Sequence, residues 1–103
     1  MKSTATDYAR TKRDKAMERL KASEDLAALD RAISRTKARH EAAVANDPTH
    51  TNDAKRKAAL AERIADDTGI NGANTARVEF AHAIAVLGID IAYCDDMIKA
   101  LTI

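Results

Sequence analysis

Apolar side chains fall on one unbroken line near the end of the 103-residue chain: Phe80, Ile84, Leu87, Ile91, Cys94, Ile98 and Leu101. Their spacing alternates four and three, the a/d pattern of a helix packed lengthwise against another helix. The line fits a single helix over about 74–101, roughly 42 Å long, which Asn71 or Asn74 can cap. Gly88-Ile89-Asp90 interrupts its middle with stop-and-restart chemistry, so a kink at Gly88 is foreseen. An interior glycine costs only about 1 kcal/mol against alanine, and such a line is hard to keep across a sharp turn, which favours continuity. Val86, Ile89, Tyr93 and Met97 add a second apolar edge, enough for this helix to touch two neighbours.

The remainder of the chain also reads as helix, because no period-two alternation suggests a strand. Thr4 with Asp7 three residues later makes a loose capping box for a first helix over about 4–45. Asn46-Asp47-Pro48 ends it, and Asp47 can cap a second helix that has Pro48 at its first position and runs over about 48–68. The buried stripe expected there is Ala54, Ala58, Ala61, Ile64 and Ala65, with Leu60 flanking. Gly69 with Ile70 behind it suits a Schellman stop, so Gly69 to Ala73 is predicted to be the second turn. Two short connections between helices predict antiparallel neighbours. The fold class expected is therefore all-α, a coiled-coil-like antiparallel three-helix bundle, with residues 1–103 forming a single helical domain.

The first helix is internally inconsistent. From Ala22 it carries a seam of its own through Leu26, Leu29, Ile33, Thr36, His40 and Ala43. Before that, its apolar positions are Ala9, Ala16, Met17 and Leu20, and Leu20 lies about 140° around the helix from Ile33. Either the helix breaks near Ser23-Glu24-Asp25, or residues 4–21 turn their apolar edge elsewhere. A straight helix of this length, about 60 Å, would outrun both later helices. Residues 1–21 are accordingly a basic N-terminal arm or helix extension, left poorly served by the chain's own core.

Composition adds that alanine, not large side chains, dominates an apolar content of 46%, with aromatics at only 3%. Small residues allow close helix approach but bury little area, which makes a homodimer or a heteromeric partner attractive. A net charge of +1 gives no global pull toward nucleic acid or an anionic membrane. One cysteine suits a reducing cytoplasm. No apolar stretch follows the charged start MKSTATDYARTKRDK, so no secretory leader is expected, and no run is long enough to span a membrane.

Charge is nevertheless uneven. Arg10, Lys12, Arg13, Lys15, Arg19 and Lys21 load the arm, whereas Asp90, Asp95 and Asp96 make the other end acidic. The two can pair with each other, or the arm can bind a foreign protein, with Tyr8 as an aromatic anchor among the cations. Two nucleic-acid readings compete. The arm followed by a heptad seam has the outline of a basic zipper, but acids interleave it. Leu87-Gly88-Ile89-Asp90 is similar to the turn of a helix-turn-helix, but the following helix would offer Asp95 and Asp96 to phosphates, with Lys99 its only base.

Catalytic chemistry has little support. His40, His50 and His82 are scattered, none stands at ligand spacing from another or from Cys94, and no metal, cofactor or catalytic set is expected. Cys94 on the seam reads as a small hydrophobe. Gly69-Ile70-Asn71-Gly72 lacks the lysine and hydroxyl of a phosphate loop. The expectation is a non-enzymatic cytoplasmic protein-interaction module, a small regulator or inhibitor that occludes or scaffolds a macromolecule. In size and class it is like the short helical inhibitors of phages and mobile elements, anti-CRISPR proteins among them, an analogy that no motif carries.

Overall fold

The computed structural model describes residues 3–102 and contains three α-helices: α1 (Ala5–Ala45), α2 (Asp53–Ala65) and α3 (Thr68–Thr102). No strand occurs among the described residues, so the all-α, three-helix class holds.

α1 opens with the expected box: the Asp7 N–H donates to Thr4 Oγ1 (3.2 Å), and the Thr4 N–H donates to Asp7 Oδ2 (3.0 Å). It does not break near Ser23 but runs for 41 residues. Its own pattern explains why. Stepping back from Ala22 by three and four reaches Arg19, Lys15, Lys12 and Tyr8, so the seam continues to the start of the helix with polar side chains in the apolar places. Met17 and Leu20, which suggested a second face, are among the exposed large hydrophobic residues.

Both connections differ from expectation. Asp47 caps a turn and not a helix: its Oδ1 accepts from the Thr49 N–H (2.9 Å) and the Thr49 hydroxyl (2.7 Å), folding the chain over Pro48. α2 begins at Asp53 instead of 48, capped by Asn52, whose side chain accepts from the Lys55 N–H at 2.9 Å. It ends at Ala65, three residues early, and only Asp66 and Asp67 separate it from α3.

The predicted turn from Gly69 to Ala73 is the first part of α3. Asp67 is the N-cap: its Oδ1 accepts from the Ile70 N–H (2.9 Å) and its carbonyl from the Asn71 N–H (3.1 Å). No glycine has a positive φ, so no Schellman stop forms. Ile70 is instead a buried core residue, and the Asn71 side chain donates to the Ala65 carbonyl (3.1 Å), closing off α2. A β-carbon on Gly69 would approach Asp67 Oδ1 to 3.1 Å, so the missing side chain leaves room for the capping carboxylate. α3 thereby reaches 35 residues, about 52 Å, and continues unbroken through Leu87-Gly88-Ile89-Asp90. There is no helix-turn-helix at that position.

The chain divides into two compact units. One joins α1 up to Leu26 with α3 from Val78. Its helices are antiparallel: Lys12 Nζ meets Asp95 Oδ1 at 2.5 Å, and one heptad along α1 the Arg19 guanidinium lies over Gly88, one heptad back on α3. Ala22 and Cys94 are buried there. The other unit, Ala27–Arg77, gathers the end of α1, α2 and the start of α3 around buried Ile33, Val44 and Ile70. Asp30 Oδ1 and Arg77 Nε pair in it at 2.6 Å. In α2 the alanines expected inside, Ala54, Ala58, Ala61 and Ala65, are exposed, whereas Ile64 of the expected stripe and its flank Leu60 are half-buried as foreseen, joined by Ala59. Two branched aliphatic side chains bury more area than an alanine stripe, and they set the rotation of this short helix.

Gly72 tests the early start of α3. No atom lies within 4 Å of a β-carbon built on it, so Gly72→Ala should stabilise the protein by about 0.5–1 kcal/mol in urea unfolding. A loss of stability would mean that the segment is a turn.

Candidate functional site

The helical register sorts the basic arm into two faces. Tyr8, Lys12, Lys15 and Arg19 lie on the seam toward α3. Tyr8 packs edge-to-face on Tyr93, ring centroids 6.1 Å apart with planes at 78°. Lys12 and Lys15 are half-buried, Lys12 ending on Asp95. A β-carbon on Gly88 would lie 3.6 Å from the Arg19 guanidinium, so the glycine makes space for that group. Long aliphatic stems cover apolar surface while their charges reach the helix edge, which is how cations can occupy seam positions. The expected pairing of basic arm and acidic end therefore occurs within one chain, at Lys12 and Asp95.

Arg10, Arg13 and Lys21 are turned away from α3 and exposed, with Lys21 Nζ 3.6 Å from Asp25. Met17 lies on that same outer face, 65% exposed, and Leu20, 60% exposed, lies at its edge beside α3. Sequence reasoning grouped all the cations together because it followed apolar residues backward along the helix. Following the four-three spacing instead would have separated them.

On α3 the long seam is the helix-packing surface of this pair. Cys94 is buried, Phe80, Ile84, Leu87, Ile91 and Ile98 are half-buried, and Leu101 is exposed. Ile84 and Ile91 line a groove of about 440 Å³ with Ala16, Arg19, Leu20 and Ser23 of α1.

The second unit holds a cluster that sequence reasoning missed. His40 on α1, Arg63 on α2 and the α3 cap Asp67 meet there. The Arg63 Nε–H donates to His40 Nδ1 at 3.2 Å, and His40 Nε2 lies 2.7 Å from Asp67 Oδ2. Because an arginine nitrogen can only donate, Nδ1 must be unprotonated and Nε2 must carry the hydrogen given to Asp67. The His40 hydrogen bond and then the Ile70 N–H hold the Asp67 carboxyl below its ordinary value of 3.8. One polar clasp thus joins the ends of all three helices. Its sequence signal was Asp66-Asp67 ahead of Thr68-Gly69-Ile70, a helix start read as a helix stop. His50 lies apart, 3.4 Å from Asp47, and His82 is exposed on α3. Among the described residues no group of three or more His, Cys, Asp or Glu is arranged to hold a metal.

No family model, curated protein or solved structure matches this chain.

A carboxyl whose folded pKa is depressed stabilises the fold above its unfolded value and loses that contribution as pH falls through the folded one. For Asp67 that loss begins near pH 3.8 and continues below it. Asp67→Asn keeps a capping oxygen but no charge, so its melting temperature should fall less between pH 5 and pH 2 than that of the wild type, by about the share Asp67 contributes. Parallel melting curves for the two proteins would show that the clasp does not stabilise the fold.

Proposed function

We propose that the chain is a non-enzymatic protein–protein interaction module, a small regulator or inhibitor that acts in the cytoplasm by covering part of a macromolecular partner. The observation that carries this reading is the outer face of α1, where exposed Met17, with Leu20 at the edge, sits among Arg10, Arg13 and Lys21. Large apolar side chains ringed by arginine are the composition of interface anchors, since burial supplies the affinity and charge supplies the orientation. The chemistry complementary to it is an acidic protein surface with an apolar recess. Asp14 and Glu24 interleave the same face, which favours a protein partner over a phosphate backbone. Among the described residues no helix is long and apolar enough to cross a membrane. The lone Cys94, buried as a thiol, suits a reducing compartment.

The immobilised chain should retain a protein from a lysate of its native cells. Arg13→Glu combined with Met17→Glu should lower that retention at least tenfold while leaving the far-ultraviolet circular dichroism unchanged, because both side chains point away from the core. Equal retention by the variant would remove the α1 face from consideration. Binding of duplex DNA that weakens steeply with salt would replace the protein partner by a polyanion.

A further inference from the structure

We propose that two copies of this chain pair antiparallel through the outer face of α3, about a two-fold axis at Ile89. A helix in a two-helix pair needs one apolar face, and α3 has two. The first faces α1. On the other side Val78 is 70% exposed and Ile89 69%, with Val86 exposed as well, and Tyr93, whose ring packs on Tyr8, keeps 55% of its surface exposed at the edge of this face. From Phe80 to Ile89 there is no Asp, Glu, Lys or Arg, and the only titratable residue is His82. A helix that is apolar around its circumference is normally covered on every side. Only α1 accompanies this part of α3 within its unit.

The order of residues on this face identifies the cover as a second copy. A two-fold interface sets each residue against a fixed counterpart, so the face must complement itself when reversed. Centred on Ile89, antiparallel pairing sets Ile89 against itself, Tyr93 against Ala85, and Val86 against Ala92. Val78 then meets Ala100. Away from the Ile89 pair on the axis each large side chain is level with a small one, which lets two helices approach to the usual 8–10 Å or so. The polar positions on this face are compatible. His82 falls opposite Asp96, a pair that occurs twice by symmetry. Asp95 is turned toward α1, where Lys12 of its own chain holds it, and so stays off this face. The face from Val78 to Ala100 is about 33 Å long, at the lower end of stable interfaces, and the affinity expected is on the order of micromolar.

Sedimentation equilibrium of the full chain tests this. Across low to high micromolar concentrations the mass should rise from 11.2 kDa toward twice that value. Ile89→Asp places two carboxylates together on the axis and should hold the protein at monomer mass with unchanged circular dichroism. Asp96→Lys should weaken pairing at least tenfold, and adding His82→Asp to it should restore pairing, because the exchange puts a carboxylate and a donor back at the same two opposed positions. Ile89→Cys should form an interchain disulfide on mild oxidation, whereas Met17→Cys on α1 should not. A wild-type chain that stays monomeric at high micromolar concentration overturns the proposal. So does a dimer that survives Ile89→Asp, or one that Asp96→Lys weakens and His82→Asp fails to rescue.

Discussion

The Asp67 carboxylate makes two contacts at once. Oδ1 takes the Ile70 N–H and so begins α3 at Thr68, while Oδ2 takes the hydrogen on His40 Nε2 and so ties that beginning to α1. The Arg63 Nε–H on the opposite ring nitrogen leaves His40 only one way to donate. The remaining features follow from where this cap sits. A helix starting at Thr68 has 35 residues, several more than one starting near Asn74, and its first turns supply the buried Ile70 to the second unit, whereas the segment from Val78 accompanies the first half of α1. The arm then has a core after all, built from Tyr8 on Tyr93, Lys12 on Asp95 and Arg19 over Gly88.

Much of this was legible in the sequence. Alanine-rich, strand-free patterning predicted three helices, the Thr4–Asp7 box located the start of α1, and the line from Phe80 to Ile98 located the packing face of α3. Where the reading failed, the reason was a competition between local signals. Gly69-Ile70 has the chemistry of a helix stop, yet Asp67 offers a start two residues earlier, and the start prevails because it also binds His40 and buries Ile70. Pro48 has the chemistry of a first helical residue, yet Asp47 satisfies the Thr49 N–H and hydroxyl first. Lys12, Lys15 and Arg19 were invisible as seam residues because apolar patterning does not count aliphatic stems. The His40 clasp could not be found before the start of α3 was correct, since its partners are 23 and 27 residues away.

The same arrangement separates the surfaces available for binding. Of the cations on the α1 seam, Lys12 is held by Asp95 of the chain itself, while Arg10, Arg13 and Lys21 with Met17 are turned outward to meet a foreign partner. The α3 seam is occupied by α1, which leaves Val78, Val86 and Ile89 bare and Tyr93 covered only on the side of Tyr8. A two-helix unit can bury only one face of each helix, so the second apolar face of α3 and the mixed face of α1 are what such a unit has to offer to others.

Residue-resolved amide hydrogen exchange tests the continuous α3 most directly. Helical amides at Gly72 and Ala73, and again from Gly88 to Asp90, should be protected like their neighbours along α3. Exchange at unfolded-chain rates at either place would contradict the account, because α3 would then not begin at the Asp67 cap or would be broken where it packs on Arg19.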